Sequence, residues 1–171
     1  HVSRDFLPVK DALTESFDRL DELQKSSGKL RGVPTGFRDL DSKLAGMQDS
    51  NLLILASRPG QGKTSMALNI AQHVAVVAGL PVGIFSLEMS QEELVDRLLV
   101  GQADIDAWKL KTGRLDEKDF DRLSLAMGEL AEAPIFIDDT PGSSISEMRT
   151  KARRLQIEHG LKLLIVDYLQ L

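Results

Sequence analysis

The feature that most constrains this chain is the junction at residues 52–78. The all-apolar run Leu52-Leu53-Ile54-Leu55-Ala56 leads into Ser57-Arg58-Pro59-Gly60-Gln61-Gly62-Lys63-Thr64, and a helical stretch follows over Lys63–Ala78 with Met66, Ala67, Ile70, Ala71 and Val74 on one face. Strand, glycine-bearing loop, Lys-Thr and helix in that order form a phosphate cradle. Glycines at 60 and 62 let backbone N–H groups turn inward on phosphate oxygens. The helix N-terminus adds partial positive charge at the same point. Lys63 supplies a full cation to the β- and γ-phosphates, and the Thr64 hydroxyl suits magnesium. Ser65, in the first turn, is a further candidate contact. The pattern departs from its usual form in one place: Ser57 stands where glycine is expected. The expected ligand is a nucleoside triphosphate with Mg2+, held by residues 57–65.

The rest of the chain reads as strands alternating with helices. Strands are expected at Leu52–Ala56, Val82–Ser86, Ile135–Ile137 and Leu161–Val166. Helices are expected at Lys63–Ala78, Gln91–Val100, Glu117–Leu130 and Ile145–His159. Continuous Val/Ile/Leu strands are buried on both faces, and alternation with helices implies a parallel sheet with right-handed crossovers. The fold class is therefore α/β, a three-layer α/β/α arrangement. At 171 residues, with 42% hydrophobic and 27% charged residues, the chain can hold one such core. No apolar run approaches the roughly 20 residues that cross a bilayer. The absence of cysteine excludes disulfides and thiolate chemistry and suits a reducing cytoplasm. A net charge of −5 means that any nucleic-acid contact must come from local basic patches or from an assembled form.

Ahead of this domain, Val9, Leu13, Phe17, Leu20 and Leu23 recur at helical spacing from Val9 to about Lys25. Pro8 suits the start of that helix, and Ser26-Ser27-Gly28-Lys29 reads as a flexible joint. The apolar stripe either packs on its own domain or docks on a neighbouring subunit. Residues 1–30 therefore read as a helix and joint, and 31–171 as the domain that carries the phosphate cradle. After the joint, Gly32–Gly36 forms a turn cluster, and Phe37, Leu40 and Leu44 mark a short helix.

Two carboxylates complete the candidate chemistry. Asp167 ends the apolar strand Leu161-Lys162-Leu163-Leu164-Ile165-Val166-Asp167, where P-loop enzymes place the acid that holds magnesium directly or through water. Hydrolysis also needs a group to deprotonate the attacking water. No glutamate stands beside Asp167, so the candidate base is Glu88, closing the strand Val82–Ser86 at the sheet edge where such folds bind ligands. Read from composition alone, Glu88 could equally serve the N-terminus of the helix beginning near Gln91. Asp138 and Asp139 also close a strand, but the following Thr140-Pro141-Gly142-Ser143-Ser144 assigns them to a turn. Arg149, Lys151, Arg153 and Arg154 read as a solvated helix face, and Trp108 as a packing residue.

These motifs, in this order, resemble the bacterial replicative DNA helicases of the DnaB family. The resemblance rests on Gly32-Val33-Pro34-Thr35-Gly36-Phe37 with Leu40-Asp41, on Ala56-Ser57-Arg58-Pro59, on Phe85-Ser86-Leu87-Glu88-Met89, and on Asp167-Tyr168-Leu169-Gln170-Leu171. It implies a RecA-like motor domain that hydrolyses ATP between subunits of a homo-hexameric ring around single-stranded DNA. It also implies a linker helix packed on the neighbouring subunit, and primase and a helicase loader as partners. The family's catalytic glutamate falls on Glu88. The chain is expected to be incomplete on its C-terminal side, after the Asp167 strand, without the arginine finger or DNA-binding loops, and so poorly active alone. Two other readings compete: a RecA-like recombination or repair ATPase, and a non-catalytic ATP-dependent assembly module.

Overall fold

A computed structural model describes residues 8–25 and 30–168. The joint Ser26-Ser27-Gly28-Lys29, the side chain of Leu23 and the terminal Leu169-Gln170-Leu171 lie outside the described residues. The chain divides into two units, His1–Leu30 and Arg31–Leu171.

The described part of the first unit is carried by the helix α1 (Val9–Lys25). Its apolar residues at helical spacing, Val9, Leu13, Phe17 and Leu20, are exposed, and Lys25 donates to Asp21 one turn earlier at 2.6 Å. A pair of this kind on an open helix face contributes about 0.3–0.5 kcal/mol. A single helix cannot bury its own stripe.

The second unit opens on the turn cluster. Val33 and Met47 form an isolated antiparallel bridge, and the short helix α2 (Arg38–Leu44) lies between them in sequence. Asp41 organises the turn: its Oδ1 accepts the Thr35 N–H at 2.7 Å and the Thr35 hydroxyl at 2.8 Å, both residues being buried. A buried carboxylate is tolerated because these donors replace water. Gly36 adopts φ +86°, and a Cβ there would meet the His73 ring at 2.6 Å. Glycine is thus required on two counts, backbone sign and space.

Among the described residues the sheet has three parallel strands in the order β2-β1-β3: β1 (Val82–Ser86), β2 (Ile135–Asp138) and β3 (Leu163–Asp167). β1 is central and every residue in it is buried. Its alternation sorts the layers. Val82 and Ile84 join a core with Leu68, Ala71 and Val74, from α3 (Lys63–Gln72) and the π-helical turn His73–Val77 that continues it, and with Leu94 and Leu98 of α4 (Gln91–Ala103). Gly83 faces the opposite layer, where an added Cβ would lie 3.0 Å from Leu155 of α7 (Ile145–His159). Helices on both faces of a parallel sheet make the expected three layers. Val74, Val82 and Leu94, each less than 2% exposed, contribute about 1.5–3 kcal/mol apiece.

A helical corner, α5 (Ala107–Thr112) and α6 (Glu117–Glu132), packs Leu123 and Ala126 against Ala103 and Ile105. The short α5 carries no period long enough to read from sequence. Trp108 is 54% exposed with the Arg114 guanidinium 5.1 Å from its ring centroid, so it is not the packing residue expected. Among the described residues, no helix is long and apolar enough to cross a membrane.

One expected strand does not form. Leu52–Ala56 joins no strand of the sheet, and its Leu52 and Ile54 are 85% and 84% exposed. A strand exists only through a neighbour that takes its N–H and C=O groups. No described strand lies in register beside this run, so apolar content alone leaves it unpaired.

Candidate active site

The loop that follows this run is built around two glycines. Gly60 and Gly62 adopt φ of +75° and +85°, and nothing lies within 4 Å of where a Cβ would stand. Their requirement is therefore backbone sign rather than local crowding. The Ser57 hydroxyl and the Gln61 N–H both donate to the Arg58 carbonyl, at 3.2 Å and 3.3 Å. Residues 57–62, including Pro59, are exposed, as is Ser65 at the start of α3. The helix begins at Lys63 with Gly62 as its N-cap and no side-chain cap. Its first N–H groups are orphan donors, and an anion is their natural partner.

The tertiary fold brings three charged or hydroxyl groups to that helix end. Thr64 Oγ1 donates to Asp167 Oδ2 at 2.6 Å across 103 residues of sequence. Lys63 Nζ lies 2.9 Å from the other oxygen, Asp167 Oδ1, with side chains 24% and 10% exposed. The Lys63 ammonium also sits 3.9 Å from the Tyr168 ring centroid. One carboxylate thus holds both residues of the Lys-Thr pair. A hydroxyl and a carboxylate are hard oxygen donors of the kind magnesium takes, beside a cation and uncapped N–H groups that suit phosphate. The residues present fit a magnesium nucleotide.

Glu88 reaches the same sheet edge by a different route. Ser86 pairs in register with Asp167, and the next residue, Leu87, donates its N–H to the Asp167 carbonyl at 2.8 Å. Glu88 follows in an exposed turn closed by the Ser86 hydroxyl, which donates to the Met89 carbonyl at 2.7 Å and accepts its N–H at 3.1 Å. The α4 N-terminus is capped by others. Ser90 and Glu93 form a reciprocal capping box, and Gln91 donates its N–H to Asp139 Oδ2 at 2.8 Å. Glu88 takes no part in this set, which leaves its carboxylate free for solvent or substrate.

Asp138 and Asp139 play turn roles, each with its own partner. Asp138 accepts from the Thr140 N–H at 2.9 Å and from Lys151 Nζ at 2.5 Å, which removes Lys151 from the otherwise solvated basic face of α7. Burial pushes the Asp138 carboxyl up, but hydrogen bonds from Lys151 and Thr140 outweigh it and bring it down from 3.8 to about 2. A carboxylate depressed in the folded state stabilises fully above its unfolded value, and that contribution is lost as pH falls through the folded one. Between pH 5 and pH 2 the chain should lose about 2 kcal/mol through this group. Urea melts at the two pH values should show this excess loss, and Asp138→Asn should remove it. Parallel losses in both proteins would refute the assignment.

Comparison with known proteins decides the family. Residues 32–171 match the DnaB-like helicase C terminal domain. The chain belongs to that family. Over 166 residues it is 48% identical to the replicative DNA helicase DnaC of Bacillus subtilis (strain 168) and 47% identical to the replicative DNA helicase DnaB of Geobacillus stearothermophilus. These alignments cover 97% of this chain, which spans only 37% of the length of either relative. A solved structure of a DnaB-like replicative helicase and its interactions with primase superposes with a TM-score of 0.85 at 31% identity, covering 98% of this chain and 40% of that one. The RecA-like α/β class follows, with the three parallel strands as its described part. Membership in a helicase family removes the recombination or repair reading. Two contributors near the site escaped sequence reasoning. Tyr168 carried no signal beyond following Asp167, and Asp139 none beyond a turn.

Proposed function

We propose that this chain is the nucleotide-binding part of an ATP-dependent replicative DNA helicase motor. Residues 1–30 would serve as linker helix and joint, and 31–171 as the RecA-like ATPase domain. The observation that carries this reading is the meeting of Lys63, Thr64 and Asp167 within 2.9 Å at the uncapped start of α3. In it, residues 57–65 wrap the ATP phosphates through backbone N–H groups, and Lys63 turns from Asp167 toward the β- and γ-phosphates. Thr64 and Asp167 would hold Mg2+, which when bound neutralises charge on the phosphate oxygens. Glu88 takes a proton from water as the water oxygen bonds the γ-phosphorus. The bond from that phosphorus to the bridging oxygen breaks, and its electron pair leaves with ADP.

The larger assembly belongs to the same proposal: a cytoplasmic homo-hexamer joined through the exposed apolar stripe of α1, translocating on single-stranded DNA and meeting primase and a loader. The test is steady-state ATP turnover by the full-length polypeptide with and without single-stranded DNA. Turnover should rise several-fold with DNA, and a forked duplex should be unwound. Turnover indifferent to DNA, with no unwinding, would favour an ATP-dependent assembly module instead.

A further inference from the structure

Asp139 lies outside the phosphate loop and outside both acidic residues assigned to the chemistry. We propose that it is a positioning residue that acts through Glu88; this rests on the reading of Glu88 as the base. Glu88 stands on the short connection Leu87–Ser90 between β1 and α4, and an exposed side chain on such a connection is only as well placed as its backbone. One end of the connection is held by the Leu87 N–H on the Asp167 carbonyl, at 2.8 Å. The middle is held by Ser86 on Met89. The other end is held by the Gln91 N–H on Asp139 Oδ2, at 2.8 Å and 48 residues away in sequence.

The Asp139 bond has a distinct character among these. Ser90 and Glu93 already cap α4 locally, so Asp139 is not needed to terminate the helix. Asp138, with Lys151 and Thr140, already ties down the end of β2. What the Asp139 bond adds is a strut from the end of β2 to the residue where the Glu88 connection meets α4. β3 sets one side of that connection through the Asp167 carbonyl, and β2 sets the other through Asp139. The base is thereby held in fixed relation to the carboxylate that meets Lys63 and Thr64. The bond is exposed, so its loss costs the fold little while loosening the connection. A catalytic group displaced by about 1 Å can cost 10²-fold in rate.

The experiment is ATP turnover by the full-length polypeptide bearing Asp139→Ala, Asp139→Asn, Glu88→Gln, and Glu88→Gln combined with Asp139→Ala. Asp139→Ala should lower kcat about tenfold with KM changed less than about twofold. Asp139→Asn, whose amide oxygen still accepts the Gln91 N–H, should stay within about twofold of the parent. In the Glu88→Gln background, Asp139→Ala should have no further effect, because residues acting through one another are not additive. A normal kcat for Asp139→Ala would overturn the proposal. So would a loss carried by KM, or the same tenfold loss repeated on top of Glu88→Gln. Should Asp139→Ala fail to fold, Asp139→Glu, which shifts the carboxylate by one methylene, must lower kcat with KM preserved. Full turnover in Glu88→Gln would remove the base assignment itself; a low Glu88→Gln beside a normal Asp139→Ala removes only the strut.

Discussion

Glu88→Gln should lower kcat for ATP hydrolysis by about 10²–10⁴-fold while leaving the nucleotide Kd within about twofold. The amide keeps the size and hydrogen-bonding reach of the carboxylate but cannot take the proton of the attacking water. Affinity should survive because the Glu88 turn touches the phosphate loop through no described contact; its described bonds run to Asp167, to Ser86 and to the α4 cap. Fold stability should also survive, since capping of α4 falls to Ser90, Glu93 and Asp139. The check is paired: single-turnover hydrolysis for the chemical step, and titration with a fluorescent ATP analogue for binding. Retained turnover would return the base to another residue. A parallel loss of binding would make Glu88 a structural acid.

Lys63→Ala acts at the other end of the reaction coordinate and should weaken ATP binding by about 10–100-fold, the worth of a charge-assisted contact of about 1.5–3 kcal/mol. Before nucleotide arrives, Lys63 is the counter-charge of Asp167 at 2.9 Å, so the same substitution strips a buried carboxylate of one partner and leaves it Thr64. Some loss of stability without ligand is therefore expected, and affinity must be measured where the protein is fully folded. Arginine would restore charge without restoring function, because its planar fork does not replace a compact ammonium in a cradle of backbone N–H groups. Unchanged ATP affinity in Lys63→Ala would remove the loop from the binding site.

The two substitutions separate cleanly because they fall on residues with different connections. Lys63 is held by Asp167 and by the face of Tyr168, whereas Glu88 is held only through its backbone. A shared dependence does exist: the Asp167 carboxylate meets Lys63 and Thr64 while its carbonyl meets Leu87. Substitution at Asp167 would therefore disturb both, and is the less informative experiment.

Local chemistry made much of this legible before any coordinates. α7 runs over Ile145–His159 as its period and flanking Ser144 and Gly160 require, with Ser144 and Glu147 forming the capping box. β1 is the buried apolar run, and Gly60 and Gly62 take the positive φ that their place before Lys63 demands. Asp167 ends its strand as expected, and Asp138 closes β2 with its carboxylate accepting the Thr140 N–H. In each case the deciding interaction spans a few residues, so the amino-acid order contains it.

What the sequence could not carry is whatever depends on a partner distant along the chain. Leu52–Ala56 has every local mark of a strand and is not one here, because pairing is a property of two segments. The bond from Gln91 at the start of α4 to Asp139 likewise joins residues 48 apart in sequence. The glycine-bearing loop, the alternation of β1, β2 and β3 with helices, and the choice of Glu88 and Asp167 as candidates were all readable from sequence alone. That Asp167 meets both Lys63 and Thr64, and that its carbonyl meets the turn bearing Glu88, was decided only by the tertiary structure, since the order of a parallel sheet sets which strand ends become neighbours.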